Sequence, residues 1–148
     1  MDVTVRRIDD GFRFEGKGDR AGTIVMDNGI NSGGKGEMPS PLQAFLMTMG
    51  GCSGIDVVSI LEKSRQSIDN LEIELHADRV KRGFISPFEK VHVHFKMDGE
   101  IDPAKASRAV KLSLEKYCTV SHMMQMAVGI SASVSVNGSD RTDVPLNL

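Results

Sequence analysis

Two cysteines are the residues of this chain best suited to do chemistry. Cys52 lies inside a long apolar segment among glycines, and Cys118 lies just before a short segment that begins at Thr119. Free cysteines are often simply buried in the core, so two inert thiols are the plain alternative. The chain starts without the apolar core of a secretory signal, so we expect a cytoplasmic protein in which a structural disulfide is unusual.

The segment around Cys52, Ser40–Gln66, has the pattern of one long helix. Ser40 can cap its first N–H groups, Pro41 suits the first position, and Gln43 completes a capping box. Apolar residues point around most of the circumference, which predicts a buried helix. Three glycines near its middle each cost about 1 kcal/mol relative to alanine. Either a neighbouring element packs closely there, or a small substrate reaches the thiol.

Cys118 is expected near the start of another helix. A helix is predicted over Pro103–Tyr117, and Thr119 can cap a second one over Val120–Val128. The partial positive charge at a helix N-terminus favours thiolate and lowers the pKa of a cysteine. His122 follows four residues after Cys118 on the same helical face, where it either orients or deprotonates a thiol or is an ordinary surface histidine.

Alternation of apolar and polar residues predicts strands on both sides of the central helix. A candidate metal clamp of His76, His92 and His94 follows if the hairpin turn centres near Ile85. That face is expected to be solvated and no thiol or carboxylate is fixed nearby, so we expect no metal and no cofactor. The predicted strands are Val3–Arg7, Phe12–Glu15, Thr23–Met26, Leu71–Arg82, Phe88–Met97 and Ile130–Val136.

Length and charge narrow the class of protein. With 148 residues and a net charge of −2, the chain suits one domain over residues 1–137, followed by a loosely held tail over 138–148. It has no basic block, which argues against nucleic-acid binding. The uncharged run Met38–Ile55 is about as long as a minimal membrane span, but its polar residues and glycines favour a buried helix and no membrane partner.

Three motifs in register resemble the OsmC/Ohr family, and within it the YhfA-like branch. They are the Ser-Pro start of the central helix, Gly-Gly-Cys-Ser-Gly-x-Asp-Val-Val at Gly50–Val58, and Glu-Lys-Tyr-Cys-x-Val at Glu115–Val120. The resemblance implies an α/β (α+β) fold and an intertwined homodimer, in which strands pack around two long buried central helices. It also implies that Cys52 and Cys118 approach each other.

The same resemblance implies a thiol-dependent peroxidase that acts on organic hydroperoxides in an oxidative-stress response. Cys52 would be the peroxidatic thiol, Cys118 the resolving thiol, and an external dithiol the reductant. Methionines near the cysteines, Met49 among them, could line an apolar pocket or simply fill the core. The competing functions are a non-catalytic binding module for a lipophilic ligand and a thiol redox sensor.

One position departs from the family pattern. Members of the hydroperoxide-resistance type place a Glu ten residues before the first cysteine, paired with an Arg from the N-terminal strands, and this chain has Leu42 there. Gln43 is adjacent, and it serves either the helix cap or the pocket. The arginine is expected to be Arg20 or Arg13.

Overall fold

A long antiparallel hairpin, β4 (Ser67–Arg79) and β5 (Phe88–Glu100), forms the largest part of the fold. The computed structural model describes residues 1–148, which form two compact units, 1–47 and 48–148. In the second unit the sheet order is β4-β5-β6-β7, with β6 at Gly129–Val136 and β7 at Thr142–Val144. β6 runs parallel to β5, and the other neighbours are antiparallel. The core of this unit includes Val91, Val93, Phe95 and Met97 of β5, all essentially unexposed.

The first unit contains an antiparallel meander in the order β1-β2-β3. Its strands are Thr4–Arg7, Phe14–Lys17 and Thr23–Met26, close to the predicted ranges. A short 3-10 turn over Ile30–Ser32 follows.

The central helix α1 spans Pro41–Lys63, three residues short of the predicted end. The capping box is confirmed: the Ser40 N–H donates to Gln43 Oε1 at 2.8 Å, and the Gln43 N–H donates to Ser40 Oγ at 3.3 Å. Arg65 follows with a φ of 61°, and the Gln66 N–H donates to the Leu61 carbonyl, which closes the last turn.

The second helical region places Cys118. α2 spans Pro103–Leu112 and is capped by Asp102, whose side chain accepts the Lys105 N–H. The helix then widens into one π-helical turn over Ser113–Tyr117, and α3 spans Thr119–Met124. The mixed α+β class is thereby confirmed, with two sheets and three α-helices.

The pairing expected from a turn centred near Ile85, with His76 opposite His94, is wrong by two residues. His76 lies opposite His92, and Glu74 lies opposite His94. The reason is a two-residue turn at Gly83-Phe84, around which Arg82 and Ile85 exchange backbone hydrogen bonds, together with an irregular step in the pairing between Asp78 and Arg79. Gly83 has a φ of 63°, which a residue without a side chain adopts at no steric cost.

The expectation that this histidine face is solvated fails at His94, which is only 3% exposed. β6 covers it, and its ring nitrogens are hydrogen-bonded to Ser133 Oγ at 2.8 Å and Ser135 Oγ at 3.2 Å. Burial lowers the pKa of His94, with a further lowering from the charge of Arg141. Both ring nitrogens of His92 are likewise hydrogen-bonded to serines of β6, so neither side chain is free to bind a metal.

In the C-terminal segment that was predicted to be loosely held, residues 142–144 pair with β6. Val144 is 4% exposed. This part of the tail therefore belongs to the sheet.

Candidate functional site

The site is built on the middle of α1, where small residues let the helix approach β4. A Cβ atom at Gly54 would lie 2.9 Å from Ile73 Cδ1. A Cβ atom at Gly50 would lie 3.0 Å from Leu75 Cδ1. Both glycines are buried, whereas a side chain at Gly51 would meet no atom within 4 Å. Close packing thus accounts for two of the three glycines, and the third leaves the backbone beside Cys52 open.

Cys52 and Cys118 meet at this point together with Asp56. The two Sγ atoms and a carboxylate oxygen of Asp56 all lie within 4.8 Å of one another. Cys52 is half-buried, while Cys118 is only 1% exposed. Cys52 and Asp56 are four residues apart on α1, so they share one face of the helix.

The turn before α3 holds the Cys118 thiol in place. Cys118 is the N-cap of α3, and its Sγ accepts the Ser121 N–H at 3.3 Å. Its own N–H donates to the Ser113 carbonyl at 2.8 Å, which closes the π-helical turn. Ser121 Oγ donates to the Leu114 carbonyl at 2.9 Å. The wider turn thus ends with the sulfur directed at Cys52, and π-helical turns are frequent at functional sites.

The expected lowering of the Cys118 pKa by the helix N-terminus is wrong. Burial raises the pKa of Cys118 to about 12; the Ser121 N–H acts against this, and the neighbouring Cys52 thiol and Asp56 carboxylate add to it. Desolvation of a buried thiolate therefore outweighs one backbone N–H, and Cys118 is a neutral thiol near pH 7.

The sequence by itself does not mark Asp56 as a site residue. Its one hydrogen bond is accepted from Ser113 Oγ at 3.3 Å, and this hydroxyl also lies 3.2 Å from the Ser53 carbonyl. Within residues 48–148 no Lys or Arg forms an ion pair with Asp56. The available signal was its position, because it is the first charged residue after a long uncharged run and lies one turn after Cys52.

A surface pocket of about 520 Å³ opens beside Asp56, between α1 and α2. Most of the charged residues that line this pocket are Lys or Arg. The lining residues are Asp56, Ser59, Ile60, Lys63, Ser64, Lys105, Arg108, Leu112 and Tyr117.

A family model for OsmC-like proteins matches residues 34–133, which include both cysteines and most of the elements that position them. The chain belongs to the OsmC family. It is 42% identical to Protein YhfA of Escherichia coli K12 over 130 residues, which cover 86% of this chain and 92% of YhfA.

Solved structures share this OsmC-like fold. A hypothetical protein from Aquifex aeolicus VF5 superposes with a TM-score of 0.79 at 28% identity, over 94% of this chain and 97% of its own. An organic hydroperoxide resistance protein OsmC from Legionella pneumophila superposes with a TM-score of 0.69 at 18% identity, over 91% and 96% of the two chains. By length and composition α1 could cross a membrane, and in this fold one face of the helix, with Met49, Val57 and Leu61, is fully buried.

The other predicted site residues of this OsmC-family chain make contacts of their own. His122 is exposed, and its Nδ1 accepts a hydrogen bond from the Gln125 side chain at 2.8 Å. Met49 is fully buried, and its carbonyl accepts the Ser53 hydroxyl one turn later. Gln43 is engaged in the helix cap.

The two candidate arginines differ in their surroundings within residues 1–47. Arg13 pairs with Glu37 and lies 3.7 Å from Asp27 Oδ2, and its hydrogen bond with Glu37 raises its pKa. Asp27 is 2% exposed and also accepts the N–H groups of Asn28 and Lys35. Arg20 is exposed on the turn between β2 and β3 and has no ion-pair partner there. Arg13 is therefore held in place and Arg20 is not.

Proposed function

We propose that this OsmC-family protein is a thiol-dependent peroxidase that reduces organic hydroperoxides through Cys52 and Cys118. The observation that carries the proposal is the short separation of the two sulfur atoms, within 4.8 Å, combined with their unequal burial. A half-buried thiol can be reached by a peroxide, and a buried neighbour is placed to react with the product.

The chemistry follows from these positions. The Cys52 thiolate attacks one oxygen of the peroxide, the O–O bond breaks, and the other oxygen leaves with a proton as an alcohol. Cys52 is then a sulfenic acid. The Cys118 sulfur attacks the Cys52 sulfur and water leaves, which forms a disulfide. An external dithiol reduces this disulfide by exchange and restores both thiols.

We also propose that the protein is a cytoplasmic homodimer, and exposed apolar side chains support the dimer. Ile55 on α1 is 73% exposed, and Phe45 and Met47 of the same helix are exposed as well. Burying apolar surface contributes about 25 cal/mol per Å², so a second copy that covers this helix would be stabilised by it. Sedimentation at micromolar concentration should show two chains, and a stable monomer would refute the dimer.

A thiol redox sensor, or a non-catalytic binding module with an apolar pocket, is the second candidate function. Two observations favour it. Leu42 stands where peroxidases of the family carry a Glu, and the Asp56 carboxylate adds to the raised pKa of Cys118. Either feature would slow turnover without removing the thiol pair.

Consumption of tert-butyl hydroperoxide by the reduced protein with excess dithiothreitol tests the peroxidase. We expect multiple turnovers by the wild type, none by Cys52→Ser, and unchanged turnover by Glu62→Gln, a control on the same helix. A single stoichiometric oxidation without turnover would favour the sensor. Peroxide consumption that survives Cys52→Ser would refute the assigned role of Cys52.

A further inference from the structure

We propose that Cys52, Asp56 and Cys118 form a binding site for a thiophilic divalent cation of the Zn²⁺ class. The proposal rests on the set of donors and their geometry, and it does not depend on the peroxidase activity. Two sulfur atoms and one carboxylate oxygen lie within 4.8 Å of one another, and they come from two helical elements that other contacts already hold together. Spacing along the chain did not reveal this set, because Cys118 is far from the other two residues in sequence.

The donor set matches the coordination chemistry of zinc. Zinc is bound by cysteine sulfur at about 2.3 Å and by carboxylate oxygen at about 2.0–2.2 Å, in tetrahedral geometry. Such bonds place two sulfur ligands about 3.8 Å apart. The observed separations do not exceed 4.8 Å, which is about 1 Å above that value, so small side-chain rotations bring the three donors onto one ion.

The surroundings supply the hydrogen bonds that orient metal ligands. Ser113 Oγ donates to Asp56 Oδ2, and the same hydroxyl touches the Ser53 carbonyl on α1. The Ser121 N–H donates to the Cys118 sulfur. Partners of this kind fix the direction of ligand lone pairs and usually contribute strongly to metal affinity.

Asp56 has no cationic partner within residues 48–148. Lys63, Lys105 and Arg108 line the pocket beside it, but none of them forms an ion pair with its carboxylate. Binding of a divalent cation releases the protons of the two thiols to solvent and offsets the charge of the thiolates that result. Cys52 is half-buried beside the open backbone of Gly51, which leaves a path for the ion.

Three protein donors leave the fourth tetrahedral position open to water or to another ligand, as in catalytic rather than structural zinc sites. The bound ion would hold both sulfurs as reduced thiolates and keep them from forming a disulfide. Metal occupancy and oxidation of the pair therefore exclude each other.

Titration of the reduced full-length protein with Co²⁺ tests the site, because tetrahedral Co²⁺ bound to thiolate has visible d–d bands and a near-ultraviolet charge-transfer band. We expect one Co²⁺ per chain, both bands, and displacement by Zn²⁺. Asp56→Asn keeps an acceptor for Ser113 but loses the charge, and should weaken Co²⁺ binding about tenfold or more. Glu62→Gln on the same helix should leave it unchanged.

Oxidation gives a second test that does not depend on a variant folding. The disulfide form of the wild type should show no thiolate-to-cobalt band, and reduction should restore it. Absence of the bands in the reduced protein would overturn the proposal. So would equal affinity of the wild type and Asp56→Asn, or the same loss of affinity in Glu62→Gln.

Discussion

The Sγ atoms of Cys52 and Cys118 lie within 4.8 Å of each other, although one residue sits in the middle of α1 and the other caps α3. Disulfide formation requires a Cα–Cα separation below about 7 Å, and sulfurs this close are compatible with it after small rotations. We expect substoichiometric tert-butyl hydroperoxide to convert the pair to an intramolecular disulfide, detected by mass spectrometry after non-reducing digestion. In Cys118→Ser, Cys52 should instead accumulate as a sulfenic acid that dimedone traps. Disulfides only between chains would contradict the prediction.

The unequal burial of the two thiols predicts different rates of alkylation. Cys52 is half-buried and Cys118 is 1% exposed with a pKa raised to about 12, so iodoacetamide at pH 7.5 should modify Cys52 at least tenfold faster. Peptide mapping by mass spectrometry at successive times measures both rates in one sample. Faster modification of Cys118 would show that its N-cap position outweighs burial after all.

Leu42→Glu tests whether the missing carboxylate limits the proposed peroxidase. Arg20 has no ion-pair partner within residues 1–47, so a new carboxylate that holds it should raise the rate of peroxide consumption. One charge-assisted hydrogen bond is worth about 1.5–3 kcal/mol, so a gain of about ten- to a hundredfold is expected. Leu42→Gln, which adds a neutral amide, is the matched control and should give a smaller gain in the rate of peroxide consumption.

A second variant identifies the arginine. Arg20→Ala should cancel the gain of Leu42→Glu. If Leu42→Glu leaves the rate of peroxide consumption unchanged while Arg13→Ala abolishes turnover, the arginine that acts at the thiol site is Arg13. Glu37 and Asp27 already hold this residue in place.

The glycines of α1 should respond differently to alanine. Gly51 meets no atom within 4 Å at its Cβ position, so Gly51→Ala should raise the free energy of unfolding by about 1 kcal/mol through helix propensity. At Gly54 the new methyl group would lie 2.9 Å from Ile73 Cδ1, and overpacking typically costs about 1–3 kcal/mol. In guanidinium unfolding, Gly51→Ala should have a higher free energy of unfolding than the wild type. Gly54→Ala should have a lower free energy of unfolding than Gly51→Ala. The reverse order would contradict the packing against β4.

Because His94 is buried, we expect the free energy of unfolding to fall on acidification. Its folded-state pKa is lowered by burial, so the unfolded state, with a pKa of about 6.5, binds the proton first. The contribution of neutral His94 is complete above that value and is lost as the pH falls below it toward the lowered folded pKa. Glu74, Lys96 and Arg141 also act on the ring, and Arg and Lys stay charged throughout.

Urea unfolding between pH 7 and pH 5 measures this dependence. His94→Gln should lower the stability at pH 7 and reduce the slope of the free energy of unfolding against pH. His76→Gln, which removes an exposed histidine of β4, is the matched control. An equal slope in the wild type and His94→Gln would contradict the assignment.

Much of the local structure could be predicted from the sequence. The Ser40–Gln43 capping box, the proline starts of α1 and α2 and the alternation in β4 and β5 each involve residues that are close along the chain. The motifs around Cys52 and Cys118 also sufficed to indicate the family. Such patterns are reliable because capping and side-chain alternation are local consequences of backbone geometry.

Tertiary structure decided the features that depend on distant residues. The turn at Gly83-Phe84 and the irregular pairing between Asp78 and Arg79 set the hairpin register, and β6 buried His94 behind its serines. Burial also reversed the expected direction of the Cys118 pKa, because desolvation depends on every atom around a thiol and not on its place at a helix end. Asp56 joined the two cysteines only once α2 and the π-helical turn packed against α1, since proximity between residues remote in sequence is created by packing alone.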